Sequence, residues 1–390
     1  FDTVTILPRT LPSKTERIER TLPKNAYVDN SLLLQRNIST NRLIYRLQTI
    51  SLVITSKYFY SEILENPWTI TNITALKRIA GFLSEALRAK KWAQKYIKEN
   101  KINSSKVVFY TYWLDAATAG IGMAKREHPE VRLVSRTHGG DLYEERHNPP
   151  YIPLRYETLF FLDRLYFISE HGYNYFIHKF PHFQDKFEVA RLGVEDPGFI
   201  TEASQDGVFR IVSCSYIVPV KRIDLLIRGL RELGQKDPKG LFEWVHIGYG
   251  PLKEQTEELA KKYLPENISF HFLGYVPNPE VISFYQNNQV DLFINVSSSE
   301  GIPVSIMEAQ SCGIPVIATA VGGIPEIVSN DVGILLSENP TPQEIADAIW
   351  MLKNDSGRLE LLKKNSKSNW NKMYNAKKNY QTFSSKLNQS

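Results

Sequence analysis

Glu300-Gly301-Ile302-Pro303-Val304-Ser305-Ile306-Met307-Glu308 places two carboxylates eight positions apart, one just before a predicted helix and one inside it. Ahead of it, the apolar run Val290 to Val296, broken only by Asp291 and Asn295, reads as a buried strand, and Ser297-Ser298-Ser299 as the turn that follows. Pro303 suits the first helical position, where a missing N–H costs nothing. The spacing predicts that the N–H groups of Gly301, Ile302, Val304 and Ser305 form an anion cradle at the positive end of the helix. Glu308 then lies about two turns along, roughly 8 Å up the axis. A ligand with phosphate in its middle and hydroxyls at both ends fits this layout, and a nucleotide-sugar is such a ligand. Surface glutamates and strand–turn–helix units with a Gly-Pro pair are common, so spacing alone does not decide the function.

Outward from this unit, strand-like runs at Phe209–Cys214, Phe242–Ile247, Ile268–Leu273, Asp291–Val296, Pro315–Ala318 and Gly333–Leu336 alternate with helical patterns. Such alternation marks βαβ units and a parallel, doubly wound sheet. The first half is looser: Val107–Tyr112, Val131–Thr137 and Leu165–Ile168 read as strands, Asp115–Arg126 and Ser169–Phe180 as helices. Gly and Pro cluster at Arg191–Gly198, and the polar stretch Thr201–Gly207 follows, which places a domain boundary there. At 390 residues two domains are the default.

Glu300 to Glu308 resembles the E-x7-E signature of the large retaining glycosyltransferase family (family 4) with the GT-B fold. Cys312-Gly313-Ile314-Pro315-Val316-Ile317-Ala318-Thr319 and Gly322-Gly323-Ile324-Pro325-Glu326 continue the pattern in register, so the likeness covers Ser297 to Val328 without a gap. The resemblance implies an α/β GT-B fold, with two Rossmann-like doubly wound parallel-sheet domains facing across a cleft. They are expected at 1–192, with a crossing helix at 369–390 returning to it, and at 193–368 for the nucleotide-sugar side. A family member normally opens with a strand and a glycine-rich loop. Phe1 to Leu7 already reads as a strand, and the chain has no initial methionine, so the first domain is expected to lack its first strand, with further residues upstream or, as the alternative, a naturally abbreviated domain.

Thr137-His138-Gly139-Gly140-Asp141 follows a predicted strand, at the end where α/β sheets bind ligands. It resembles the family's His-Gly-x-Asp segment, whose histidine lies against the donor sugar; Gly139 allows close approach. A neutral His138 imidazole would donate to a sugar hydroxyl. Asp141 either faces the acceptor or caps a helix. Ser215-Tyr216-Ile217-Val218-Pro219-Val220-Lys221-Arg222 resembles the segment that brings a Gly-Arg pair and a lysine to the diphosphate. Lys221 matches the lysine, while Ser215 and Tyr216 stand where Gly-Arg is usual, leaving Arg222 as the compensating cation. Gly248-Tyr249-Gly250-Pro251 resembles a Gly-x-Gly-Pro turn at the ligand, and Tyr275 and Val276 match the segment beside the nucleotide base.

Composition narrows the alternatives. Two cysteines make neither a disulfide framework nor a thiolate zinc site, and no run approaches a membrane span. Cys214 and Cys312 in apolar contexts suit a reducing compartment, so a cytoplasmic address is expected. Asp-x-Asp, phosphate-loop, His-Glu-x-x-His and nucleophile-elbow motifs are absent. No metal, cofactor or nucleic-acid partner is expected. Residues 1–190 carry 27 Lys and Arg against 19 Asp and Glu, net +8, and residues 191–390 carry 20 against 23, net −3. The stripe Leu76, Ile79, Phe82, Leu83 and Leu87 within Ala75–Lys98 reads first as a helix packed on its own domain. Its minority reading is a peripheral contact with the anionic inner face of the cell membrane. The reading is therefore a metal-independent retaining glycosyltransferase with Glu300, His138 and Lys221 as catalytic residues. Its donor is a UDP- or GDP-sugar, and its acceptor a glycan, a lipid-linked sugar or a small molecule. A sugar-nucleotide epimerase or hydrolase, and a non-catalytic nucleotide-sugar-binding protein, are the alternatives.

Overall fold

The structure, a computed structural model, describes residues 2–8, 22–34, 42–102 and 107–389. The chain divides into two compact units. The first comprises residues 1–166 and 176–188, and the second residues 167–175 and 189–389.

In the first unit, β1 (Val4–Ile6) pairs in parallel with β2 (Ala26–Val28). β1 falls inside the predicted strand Phe1–Leu7, of which Phe1 lies outside the described residues. A four-stranded sheet follows in spatial order β3 (Val108–Thr111), β4 (Arg132–Thr137), β5 (Arg164–Phe167), β6 (Phe187–Val189). β3 and β4 run parallel with Thr111 opposite Ser135. The helix Ala116–Lys125 starts at Asp115, whose carboxylate accepts from the Ala117 and Thr118 amides while the Thr118 side chain returns to the cap. Against it packs Ile73–Glu99, a 27-residue helix capped by Asn72. Ile79 and Leu83 of its stripe are fully buried, and Leu76, Phe82 and Leu87 partly so. That face therefore packs within its own unit, as the first reading had it.

The second unit holds a six-stranded parallel sheet. Its strands are β7 (Val208–Cys214), β8 (Leu241–Ile247), β9 (Ile268–Gly274), β10 (Leu292–Asn295), β11 (Val316–Thr319) and β12 (Gly333–Leu336). They lie in the order β12-β11-β10-β7-β8-β9. The apolar runs are continuous because both faces are covered. Ile211, Trp244 and Ile294 meet Leu226, Ile227, Leu230, Ile345 and Ile349 on one face. Val212, Val245 and Phe293 meet Ile306, Met307, Trp370 and Tyr374 on the other. Strand order reverses between β7 and β10. In open α/β sheets such a switch point opens a crevice at the carboxyl ends, where ligands bind.

The final helices are Ser356–Met373 and Ala376–Gln389. Both return to the segment that enters this unit: the Trp370 indole N–H donates to Val194 O, and Asn379 Nδ2 to Leu192 O. No described helix is long and apolar enough to cross a membrane.

Candidate functional site

The loops after β7 and β10 flank the switch point, and they are latched together. Ser298 N donates to Val220 O at 2.8 Å. Arg222, at φ +48°, sends its guanidinium to Val296 O at 2.6 Å, Ser297 O at 2.8 Å, Glu338 O at 3.0 Å and Asn339 Oδ1 at 3.2 Å. A left-handed arginine is strained and persists only where its surroundings over-determine it, which these four bonds do. They also correct the expectation for Arg222. With four of its five N–H groups committed, it is a strap between loops rather than a free phosphate ligand.

The latch sets Lys221 beside Glu300, Nζ to Oε1 at 2.5 Å, with both side chains largely shielded. Asn295 Nδ2 also donates to Glu300 Oε1 at 3.4 Å, while its Oδ1 holds the Ser297 amide at 3.0 Å. Glu300 is thus aimed from below by the last residue of β10. Behind it, the Gly322-Gly323 pair explains why the motif needs glycine. Gly322 has φ +55°, and a Cβ there would stand 2.0 Å from Glu300 O; Gly323 N donates to Gly301 O at 3.0 Å. Glu326, at the end of the same run, accepts from the Glu170 and His171 amides and pairs with Arg191, which fixes a helix start.

The helix Val304–Ser311 begins after Pro303 and has no side-chain cap. Among the described residues, the amides of Gly301, Ile302, Val304 and Ser305 donate to no acceptor, so four N–H groups stand open at the positive helix end. Glu308 is buried, and the Asn278 amide donates to one of its oxygens. Burial pushes its carboxyl up to about 7, against the lowering effect of that bond. Its other oxygen accepts no hydrogen bond among the described residues.

At the ends of β8 and β9, Gly248 N donates to Gly274 O, Ser215 N to Ile247 O and Ile217 N to Tyr249 O, tying three strand-end loops side by side. Gly248 has φ +155°, and a Cβ there would overlap Ser215 O. Gly250 packs on Ile217 in the same way. Tyr216, Tyr249 and Tyr275 are all exposed on these loops, and Val276 is partly buried beneath.

The first unit builds its polar site differently. Asp141 neither caps a helix nor offers its carboxylate outward. Oδ1 accepts from His138 N at 2.7 Å and Oδ2 from Leu114 N at 2.8 Å, binding the loop after β4 to the loop after β3. Burial raises the Asp141 pKa, opposed by these amides. Gly139 O closes the turn by accepting from the Leu142 and Tyr143 amides. His138 is 7 % exposed, and neither ring nitrogen has a partner among the described residues. Burial, with the Arg136 charge nearby, lowers its pKa to about 4, so the ring is neutral near pH 7.

The apolar run contained the signal for Asn295: a polar residue closing a buried strand needs a buried partner. Exposed Tyr249 is the variable position of its Gly-x-Gly-Pro turn, the Tyr112-Trp113 pair beside His138 carried no motif, and spacing gives no reason to select any of the three.

Residues 200–369 match the family model described as glycosyl transferases group 1. The amylovoran biosynthesis glycosyltransferase AmsK of Erwinia amylovora is 29% identical over 170 residues, which are 42% of this chain and 40% of that protein. The putative colanic acid biosynthesis glycosyltransferase WcaL of Escherichia coli K12 is 31% identical over 163 residues, 40% of this chain and 39% of WcaL. The matches thus span well under half the length of these relatives. The crystal structure of HepE from Anabaena in complex with UDP covers 77% of this chain and 82% of its own, with a TM-score of 0.61 at 17% identity. Residues 200–369 therefore carry the pattern of glycosyl transferases group 1, within a chain whose two Rossmann-like units are those of the GT-B fold.

Proposed function

We propose that this chain is a retaining, metal-independent glycosyltransferase. In this reading it moves a hexosyl group from a UDP- or GDP-sugar to a glycan or lipid-linked acceptor in polysaccharide or glycolipid biosynthesis. The observation that carries it is the Lys221–Glu300 pair at the switch point, beside four open amides and with buried Glu308 further along the same helix. The diphosphate takes the place of Glu300 on Lys221 and receives the Gly301, Ile302, Val304 and Ser305 amides. Each such donor is worth on the order of 3 kcal/mol where charge develops on the departing phosphate. Glu300, released from its ion pair, accepts from the sugar. Glu308 accepts from the ribose hydroxyls, with Tyr275 and Val276 beside the base and Gly248 and Gly250 keeping the backbone close.

Neutral His138 donates to a sugar hydroxyl. No residue of this set is placed as a covalent nucleophile, and the departing phosphate itself takes the acceptor's proton. UDP-bound structural relatives and curated relatives named for amylovoran and colanic acid biosynthesis support the donor and pathway class. A bilayer-borne acceptor is supported by exposed Leu47, Ile50, Ile54, Leu64 and Ile70, in and beside a segment, 42–101, holding 11 Lys and Arg against 4 Asp and Glu. That surface would lie on the inner face of the cell membrane.

The test is transfer from a panel of UDP-, GDP- and ADP-sugars to lipid-linked and oligosaccharide acceptors. Product with the donor's anomeric configuration supports the proposal. Free sugar alone, a new epimer alone, or nucleotide binding without turnover assigns one of the alternatives.

A further inference from the structure

His138 presents a problem that its fold does not solve. A buried imidazole with both nitrogens unpaired is unfavourable, and such groups are rare unless something else supplies the partner. Two aromatic rings flank it: Tyr112 with centroids at 4.4 Å and Trp113 at 4.3 Å. The two rings also meet each other edge to face at 5.6 Å and 82°. Rings that served only to fill the core would be buried, yet Tyr112 is 48% exposed and Trp113 45%.

The platform is rigidly mounted. Tyr112 and Trp113 follow β3, and His138 follows β4, its parallel neighbour, so both loops leave the same edge of the sheet. Asp141 clamps the two loops through Leu114 N and His138 N. Thr118 Oγ1 donates to Trp113 O at 2.8 Å from the first turn of the following helix. An exposed aromatic surface on clamped loop backbones, backed by an imidazole with no partner among the described residues, has the composition of a site for a small ligand with an apolar face and hydroxyls.

We infer that Tyr112 and Trp113 form a pyranose-stacking subsite, with His138 as its hydrogen-bonding group. The axial C–H face of a sugar ring lies on the aromatic pair, and a ring hydroxyl reaches the imidazole after a small shift of the rings over it. Because His138 is neutral, it offers one donor and one acceptor, which match a hydroxyl better than an anion. This subsite deepens the glycosyl-transfer reading and rests on it. The ring could come from the donor or the acceptor, and the shared chemistry is the pyranose.

The test uses saturation-transfer difference NMR with methyl α- and β-glycosides of glucose, galactose, mannose and N-acetylglucosamine. Calorimetry with UDP, GDP and their glucose conjugates runs beside it. Proteins are the wild type, Trp113→Ala, Trp113→Phe and Tyr112→Leu, each checked by thermal melt. Expected is saturation of ring C–H protons in the wild type, retained in Trp113→Phe and reduced at least threefold in Trp113→Ala and Tyr112→Leu. Free nucleotide affinity stays unchanged throughout. If Trp113→Ala loses only the extra affinity of nucleotide-glucose over nucleotide, the subsite holds the donor ring. If it loses only the glycoside signals, the subsite holds the acceptor ring. Equal values for wild type and Trp113→Ala in both experiments, or no sugar contact in the wild type in either, overturn the inference. Absence of nucleotide binding with intact glycoside stacking overturns the glycosyl-transfer reading instead and leaves the subsite standing.

Discussion

The loop after β10 and the loop after β4 leave the carboxyl ends of parallel strands in their respective units, yet they treat polar groups in opposite ways. After β10, Glu300 has a lysine and an asparagine, and its backbone is wedged against Gly322-Gly323. After β4, His138 has its backbone tied by Asp141 but its imidazole left bare beneath Tyr112 and Trp113. The first loop guards charge with countercharge and can exchange one partner for another. The second keeps a neutral group desolvated, with no partner among the described residues. A diphosphate suits the first treatment and a sugar hydroxyl the second.

The largest effect is expected where that charge exchange fails. Lys221→Gln and Glu300→Gln each keep a hydrogen-bonding group in place while removing charge, which limits damage to the fold. Sugar-transfer kcat should fall about 100-fold or more in each, with the melting temperature nearly preserved. Loss of less than about threefold in both would remove the pair from the reaction. His138→Ala should reduce transfer by a similar factor while leaving nucleoside diphosphate affinity unchanged, since its partner is the sugar. An equal loss of nucleotide affinity would erase the contrast between the two loops.

Glu308 sharpens the comparison through pH. Burial pushes its carboxyl up to about 7, above the ordinary 4.5, so the folded state holds the proton more tightly. Its contribution to stability is thus full below about 4.5 and declines as pH rises toward 7. Glu308→Gln should melt higher than wild type at pH 8, with the gap narrowing toward pH 5. The ionised carboxylate is the form that accepts from ribose hydroxyls, so nucleotide affinity should rise between pH 6 and pH 8, up to about tenfold. In Glu308→Gln that rise should vanish; a persisting rise would assign the titration to another group.

The sequence rendered the second unit better than the first, for physical reasons. All six strands from β7 to β12 were read within two residues, because a parallel sheet buried on both faces leaves unbroken apolar runs. The helices Arg42–Ile54 and Lys57–Glu65 were not read: apolar Leu47, Ile50, Ile54 and Leu64 are exposed while Glu62 is buried, so residue polarity does not report which face is inward. Within the site, the placement of Glu300 and Glu308 about one helix start was read from spacing, and Lys221 was read only from the family resemblance. The direction of the Arg222 guanidinium was not, because residue type specifies a cation but a left-handed backbone turns it inward. Asp141 was misread for a similar reason: two backbone amides from separate loops reach it, and only tertiary structure brings them there.

Arg222 carries the smallest expected effect at the ligand. Arg222→Ala should lower the melting temperature by a few degrees through the loss of its four bonds, and change nucleotide affinity by no more than about threefold. A loss as large as that of Lys221→Gln would return Arg222 to the phosphate.

Calorimetric titration of UDP and GDP into the wild type, Lys221→Gln and Arg222→Ala tests most directly whether the switch point of the second unit holds a nucleoside diphosphate. Expected is saturable 1:1 binding of one nucleotide to the wild type. Lys221→Gln should weaken it at least tenfold, and Arg222→Ala should leave it nearly unchanged. No binding by the wild type, or equal affinity in the wild type and Lys221→Gln, would contradict the assignment of that site.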